Sequence, residues 1–428
     1  MKKYLFLAVF IVLIFIIIFM NKNTNIYIDL NNIDNIKTYK IDEFDDFYSD
    51  YKNNKLDDIY ITEFIFDGVS MYKPYDIENT SDILKITTLN INGKANYILK
   101  GKMNGMILVN TNNIKGDINL IFDNVNIDTL NKDVPAIYIY NKDTNYLRCN
   151  VKIKTLKNTD NYIVGGKFKK VSLMPIDELD QYNGIYTSYS NYYGIYNSLE
   201  VNDILFAKVK ASKENIKNKD PHFYYKASGV ISSDINLTFE GNGYLNIKSY
   251  NDEGIESKNN LIFNGGSYEI ESFDDAINGN DITINVDKLT ANVLKAGDAI
   301  DANGELTINN GNIYAISNGD NSGLDASLGT IINGGVILSV DAYDDILDKS
   351  NQPYIKLMFN HKVKDSIVMR DSNDNVVFEY TSLRPYKNLI YSSKLSGSYK
   401  LYKKINDEYV KLKDINIDGI SNIYDIDN

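Results

Sequence analysis

A short pattern that returns four times between Asn251 and Asp345 restricts this chain more than any other feature. The passes read DEGIES from Asp252, DDAING from Asp274, GDAIDA from Gly297 and NSGLDA from Asn321. Their central aliphatic residues, Ile255, Ile277, Ile300 and Leu324, lie 22, 23 and 24 residues apart. A period of this size marks stacked units, each burying an apolar rung against the next. Nine residues after each rung stands Asn264, Val286, Asn309 or Asn333, and the asparagines open Gly-containing turns such as Asn264-Gly265-Gly266 and Asn333-Gly334-Gly335. Between rung and turn, runs such as Leu261-Ile262-Phe263 and Leu306-Thr307-Ile308 carry the alternation of strands. The expectation is an all-β parallel β-helix, a solenoid of about 22–24 residues per coil.

The polar positions of the repeat form two columns: Glu253, Asp275, Asp298, Ser322, and, three residues on, Glu256, Asn278, Asp301, Asp325. Asp252 and Asp274 are their neighbours. Strands stacked about 4.8 Å apart place like charges where they repel by roughly 3 to 4 kcal/mol at an effective dielectric near 20. Such a ladder must be well solvated, partly protonated or bridged by a cation. For ligands that are all oxygen the fitting ion is calcium, and the candidate metal ligands are Glu253, Glu256, Asp274, Asp275, Asn278, Asp298, Asp301 and Asp325. The plainer alternative is that these acids solubilise a face and order its turns.

Charge sharpens this choice. Residues 251–345 hold 17 acidic and 3 basic side chains, a net of −14, whereas the whole chain carries −12. The acidity therefore belongs to the repeat, and without a basic stripe nucleic acid is excluded as a partner. Cys149 is the only cysteine, so an intrachain disulfide, a thiolate zinc site and a CxxC pair are all impossible. Set in YLRCNVKIK, it reads as a strand residue with a structural thiol rather than a nucleophile.

Lys2 and Lys3 followed by an apolar run from Tyr4 to Met20 read as a signal peptide or signal anchor over residues 1–20. No small-x-small cleavage site follows, which favours an uncleaved N-terminal membrane anchor helix; either outcome places the rest outside the cytoplasm, on the cell surface or secreted. Residues 21–60 read as a polar spacer and 61–350 as the parallel β-helix. A tyrosine-rich insertion spans 157–224, a C-terminal antiparallel strand cap 351–403 and a loosely ordered polar tail 404–428. Early strands are expected at Ile83–Leu89, Asn96–Leu99, Met106–Val109 and Ile118–Phe122.

INLIFDNVNID from Ile118, PAIYIYNKD from Pro135 and ASGVISSDINLTFEGNGYLNIKSYNDEGIESKNNLIFNGG from Ala227 resemble a family of bacterial extracellular carbohydrate-binding proteins. The resemblance covers roughly residues 80 to 400 and is most specific over Val230–Asp301. It implies a right-handed parallel β-helix like that of pectate lyases, calcium (Ca2+) as cofactor, and plant polysaccharide, cellulose or polygalacturonate, as partner. It does not say which residues touch sugar.

Three functions compete. A calcium-dependent binder of acidic polysaccharide is the main expectation. A pectate-type lyase would need a base beside calcium, usually arginine or lysine in that fold. The arginines, Arg148, Arg370 and Arg384, lie outside the repeat, and Lys258 would sit among acids that hold it protonated. No catalytic residue is therefore assigned. A purely structural surface protein, its ions only gluing coils, is the third.

Overall fold

The computed structural model describes residues 25–33, 36–43, 83–130, 135–141, 143, 148–165, 229–250, 252–341, 347, 349–381, 383–406 and 408–426, with four short strands between 192 and 212. The repeat sets the register of one sheet. Its short strands Ile231–Ser233, Ile255–Ser257, Ile277–Gly279, Ile300–Ala302 and Leu324–Ala326 pair in parallel, in that order. Ile231, Ile255, Ile277, Ile300 and Leu324 are successive Cα partners, and all five are fully buried. The sheet continues backwards through Ile137–Tyr140 and Gly105–Asn110.

The remaining strands depart from the expected solenoid. From Leu261–Asn264 the pairing runs through Leu237–Gly241, Cys149–Thr155, Gly116–Asp128, Asp160–Gly165, Tyr244–Ser249, Ser267–Ser272 and Ile282–Val293, every step parallel. Ile282–Val293 then pairs back onto Leu261–Asn264, which closes an eight-stranded parallel barrel. This closure overturns the expectation of a right-handed parallel β-helix. Its cause is visible in two long strands: Gly116–Asp128 has 13 residues, Ile282–Val293 has 12, and each joins two strands of the ring along successive parts of its length. Where the first pass breaks at Asn264-Gly265-Gly266 and the fourth at Asn333-Gly334-Gly335, the second carries Val286, buried, and runs on as one strand with register shifts around Asn285; the third, Leu306–Ile316, likewise runs on through Asn309-Asn310-Gly311. At the first pass the break is real: Gly265 and Gly266 adopt φ of 85° and 81°, a region that glycine enters without steric cost.

The core follows the alternation. Phe239 stacks on Phe263 with ring centroids 4.9 Å apart, and Tyr268 meets both edge-on. Cys149 opens a strand as expected and is buried there, and burial pushes its thiol up to about 11, so it is an inert packing group.

Beyond the repeat, Tyr386–Ser392 pairs antiparallel with both Val336–Asp341 and Tyr354–Val363. A separate antiparallel sheet holds Val376–Tyr380, Ser366–Arg370, Gly397–Ile405 and Glu408–Ile417 over a second core that includes Phe359, Met369, Tyr386 and Leu401. The tail expected to be loosely ordered thus supplies two strands, Glu408–Ile417 and Ser421–Ile426. Asn25–Asp29, within the expected spacer, pairs in parallel with Asn96–Lys100. The signal or anchor over 1–20 and most of the tyrosine-rich insertion lie outside the described residues. Among the described residues the helical element is the 3-10 turn Leu30–Asn32, and no helix is long and apolar enough to cross a membrane.

Candidate functional site

Backbone pairing brings the acids of the repeat into line. Glu256, Asn278, Asp301 and Asp325 are successive Cα partners on adjacent short strands. One step before each strand, the carbonyls of Glu253, Asp275, Asp298 and Ser322 accept from the N–H groups of Val230, Gly254, Ala276 and Ala299. Both columns are therefore vertical rows, one polar residue per strand, with Ser322 and Asn278 as the positions that are not acids.

Their side chains do different things. Asp275 accepts from the Asp298 N–H at 2.8 Å and from Asn278 Nδ2 at 3.2 Å. The same Asn278 nitrogen donates to Asp301 Oδ2 at 2.7 Å, tying the columns together. Asp298 in turn accepts from the Ser322 N–H. Asp252 and Asp274 share a hydrogen bond, as do Asp275 and Asp301. Two carboxylates bond this way only if one keeps its proton. Burial, then the Asp274 charge, pushes Asp252 up to about 8; burial, then Asp275, Asp298 and Asp325, pushes Asp301 up to about 8. Burial also raises Asp275, and burial with the Asp252 charge raises Glu253 well above the usual carboxylate range. Glu253 Oε2 is buried and has no hydrogen-bond partner.

Two expected ligands stand apart. Glu256 is 3 % exposed and turns to Ser232 Oγ at 3.1 Å and to the Lys258 ammonium. Asp325 is exposed at the last rung and acts on Asp275 and Asp301 through its charge. Among the described residues, no three His, Cys, Asp or Glu side chains converge as a ready metal site. The donor set is nonetheless all oxygen, and an orphaned buried carboxylate oxygen beside proton-sharing acids is what a site for a hard cation presents.

Two groups escaped sequence reasoning. Asp234 is buried and accepts from Tyr138 OH at 2.9 Å and the Asn141 N–H at 3.1 Å, partners more than 90 residues away that no local pattern announces. Arg384, downstream of the repeat, reaches back to Asn292 Oδ1 and the carbonyls of Val293 and Ser317.

A family model described as "carbohydrate-binding domain-containing protein" matches residues 200–373, which contain the whole acidic site. No curated protein matches the chain. A solved structure, that of the polysaccharide lyase-like protein from C. thermocellum in its gadolinium derivative, matches at 21% identity and a TM-score of 0.34. The match covers 58% of this chain and 84% of that one.

Proposed function

We propose that this chain is a carbohydrate-binding protein that works outside the cytoplasm, held at the cell surface or secreted, and that it recognises acidic polysaccharide through calcium on its acidic columns. The observation that carries the reading is the crowding of Asp252, Glu253, Asp274, Asp275, Asp298 and Asp301, in which Asp252 bonds Asp274, Asp275 bonds Asp301 and Glu253 Oε2 is left orphaned. The family match adds the ligand class. Calcium, when bound, accepts six to eight oxygens and leaves positions for a uronate carboxylate. Asp252, Glu253, Asp274, Asp275, Asp298 and Asp301 would be the residues to hold the cation, and its charge would favour the ionised form of Asp252 and Asp301. Asn278 holds the columns at a fixed separation through its bonds to Asp275 and Asp301. Glu256 keeps to Lys258.

That ion pair also weighs against the lyase reading. A lysine becomes a base near neutral pH when it is desolvated or beside another cation; Lys258 is part-exposed and pairs with a carboxylate, which keeps it protonated.

The test is a pull-down of the full-length chain with polygalacturonate. Binding is expected in calcium and lost in EDTA, with no ultraviolet-absorbing unsaturated product accumulating. Binding of equal strength in EDTA would overturn the bridging role, and growth of absorbance would move the assignment to a lyase.

A further inference from the structure

Asparagine followed by glycine is a reactive pair, because glycine leaves its amide nitrogen open to approach the asparagine side chain. In this fold the neighbours decide how each pair behaves. The amides of Gly243, Gly265 and Gly304 are committed elsewhere, to Thr155 Oγ1 at 3.1 Å and to the carbonyls of Asn285 at 2.7 Å and Asn280 at 2.8 Å. Asn278-Gly279 and Asn310-Gly311 lie inside paired strands. Asn318-Gly319 differs. It sits in the loop 317–323, where Gly319 is exposed and its N–H donates to Oδ1 of its own predecessor, Asn318, at 2.9 Å. That bond brings the Gly319 nitrogen toward Asn318 Cγ, near the spacing of roughly 3 to 3.5 Å at which reactants are poised for attack. Asn318 Nδ2 donates to the Leu294 carbonyl at 2.8 Å, which holds the side-chain amide in that place. Gly319 has a φ of 84°, and a Cβ there would stand 3.1 Å from Asn321 Nδ2, so the position favours glycine.

The surroundings also favour loss of the Gly319 amide proton. The charge of the resulting amidate is shared with the Asn318 carbonyl oxygen. That oxygen accepts from Asn321 Nδ2 at 2.6 Å and from the Gly297 N–H at 3.3 Å. The Lys362 ammonium lies 3.2 Å from the next carbonyl along, that of Gly319. Donors set in advance around an oxygen that gains charge lower the barrier of such a step.

We propose that Asn318-Gly319 is a self-modification site, at which the folded chain deamidates itself with water as the only co-reactant. Solvent base removes the Gly319 amide proton, and the Gly319 nitrogen bonds to Asn318 Cγ. The Cγ–Nδ2 bond breaks, Nδ2 takes a proton from solvent and leaves as ammonia, and a succinimide ring remains. Water opens that ring at either carbonyl, giving aspartate or isoaspartate, and nothing is oxidised or reduced. The product puts a new carboxylate on the loop whose Ser322 N–H serves Asp298, at the end of the acidic columns. Isoaspartate also lengthens the backbone there and disrupts the pairing of residue 318 with Gly297. The step needs neither calcium nor sugar.

The experiment is peptide mapping by mass spectrometry of the full-length chain aged in mildly alkaline water enriched in heavy oxygen, with aspartyl and isoaspartyl peptides separated by chromatography. Native protein is expected to take up heavy oxygen at Asn318 roughly tenfold faster than at Asn242, Asn264 or Asn303, with both products, and the lead should vanish in urea. Asn321→Ala should slow the reaction at Asn318 roughly tenfold and leave the other three unchanged. A native rate at Asn318 no greater than at the other three overturns the proposal. A lead that persists undiminished in urea also overturns it, by tracing the reactivity to local sequence. So does an unchanged or faster reaction at Asn318 in Asn321→Ala.

Discussion

On the rung side of the molecule, Asp252, Asp274, Asp275 and Asp301 hydrogen-bond to one another, to Asn278 and to backbone N–H groups. On the barrel's outer side, carboxylates of the same types meet ammonium groups: Asp117 and Lys152 at 2.9 Å, Glu240 and Lys154 at 3.0 Å, Glu271 and Lys248 at 2.6 Å. Stacking distance is the same in both places. What differs is the neighbour one strand away, an acid in the first case and a lysine in the second. The first surface resolves its repulsion by holding protons, which makes it a competitor for cations; the second has already neutralised itself.

The largest effect that would sharpen this contrast comes from the rung side. Asp298→Ala combined with Asp301→Ala is expected to lower calcium affinity by about two orders of magnitude, judged against the ten- to hundredfold cost of losing even a supporting group. Titration calorimetry reads it. Unchanged affinity would mean that the columns are only a solvated face.

Next comes pH. Asp252 and Asp301 have folded-state values raised to about 8 from an ordinary aspartate value near 4. Their contribution to stability is therefore fully present below about pH 4 and is lost as pH rises through about 8. In EDTA the melting temperature should fall across that window. Calcium should raise it by several degrees at about pH 8, as a ligand at a hundredfold excess over its Kd adds about 2.7 kcal/mol, and should do little at about pH 5. A melting temperature that is flat in EDTA from about pH 4 to about pH 8 would break the shared-proton description.

A smaller change is Asn278→Asp. It removes a donor to Asp275 and Asp301 and adds a like charge between them. The variant should melt a few degrees lower in EDTA and recover more than the parent in calcium; equal losses in both conditions would show that Asn278 merely packs. The smallest effect is expected on the outer side. Glu271→Gln removes a half-buried ion-pair partner of Lys248 and should cost about 1 kcal/mol or less in denaturant unfolding, with no calcium dependence.

Much of the rung sheet is legible in the sequence, because a rung must be apolar and recur once per turn of chain; Ile255, Ile277, Ile300 and Leu324 announce their own register. Barrel closure is less legible: Ile282–Val293 runs on through Val286 where the first pass breaks at Gly265 and Gly266, yet Leu306–Ile316 also runs on through Asn309-Asn310-Gly311. The columns can be read from spacing, but which acids face one another cannot: Glu256 sits in column with Asp301 yet pairs with Lys258, two residues along its own chain. Asp234 and Arg384 were out of reach of any local pattern, their partners being supplied by distant strands. The barrel's parallel strands combine both cases. Each strand is visible as alternation, whereas the order in which strands adjoin is a property of the folded barrel.

The vertical alignment of the acids has a consequence for how the surface responds to its surroundings. Asp252 is coupled to Asp274, and Asp301 to Asp275, Asp298 and Asp325, so the state of each carboxyl sets the field felt by the next. Protons leave such a line as a sequence of overlapping steps, none of which belongs to a single residue. The surface therefore acts as a graded rather than an all-or-none detector: its charge changes gradually with acidity, and a cation seated at one level alters the readiness of the levels above and below it.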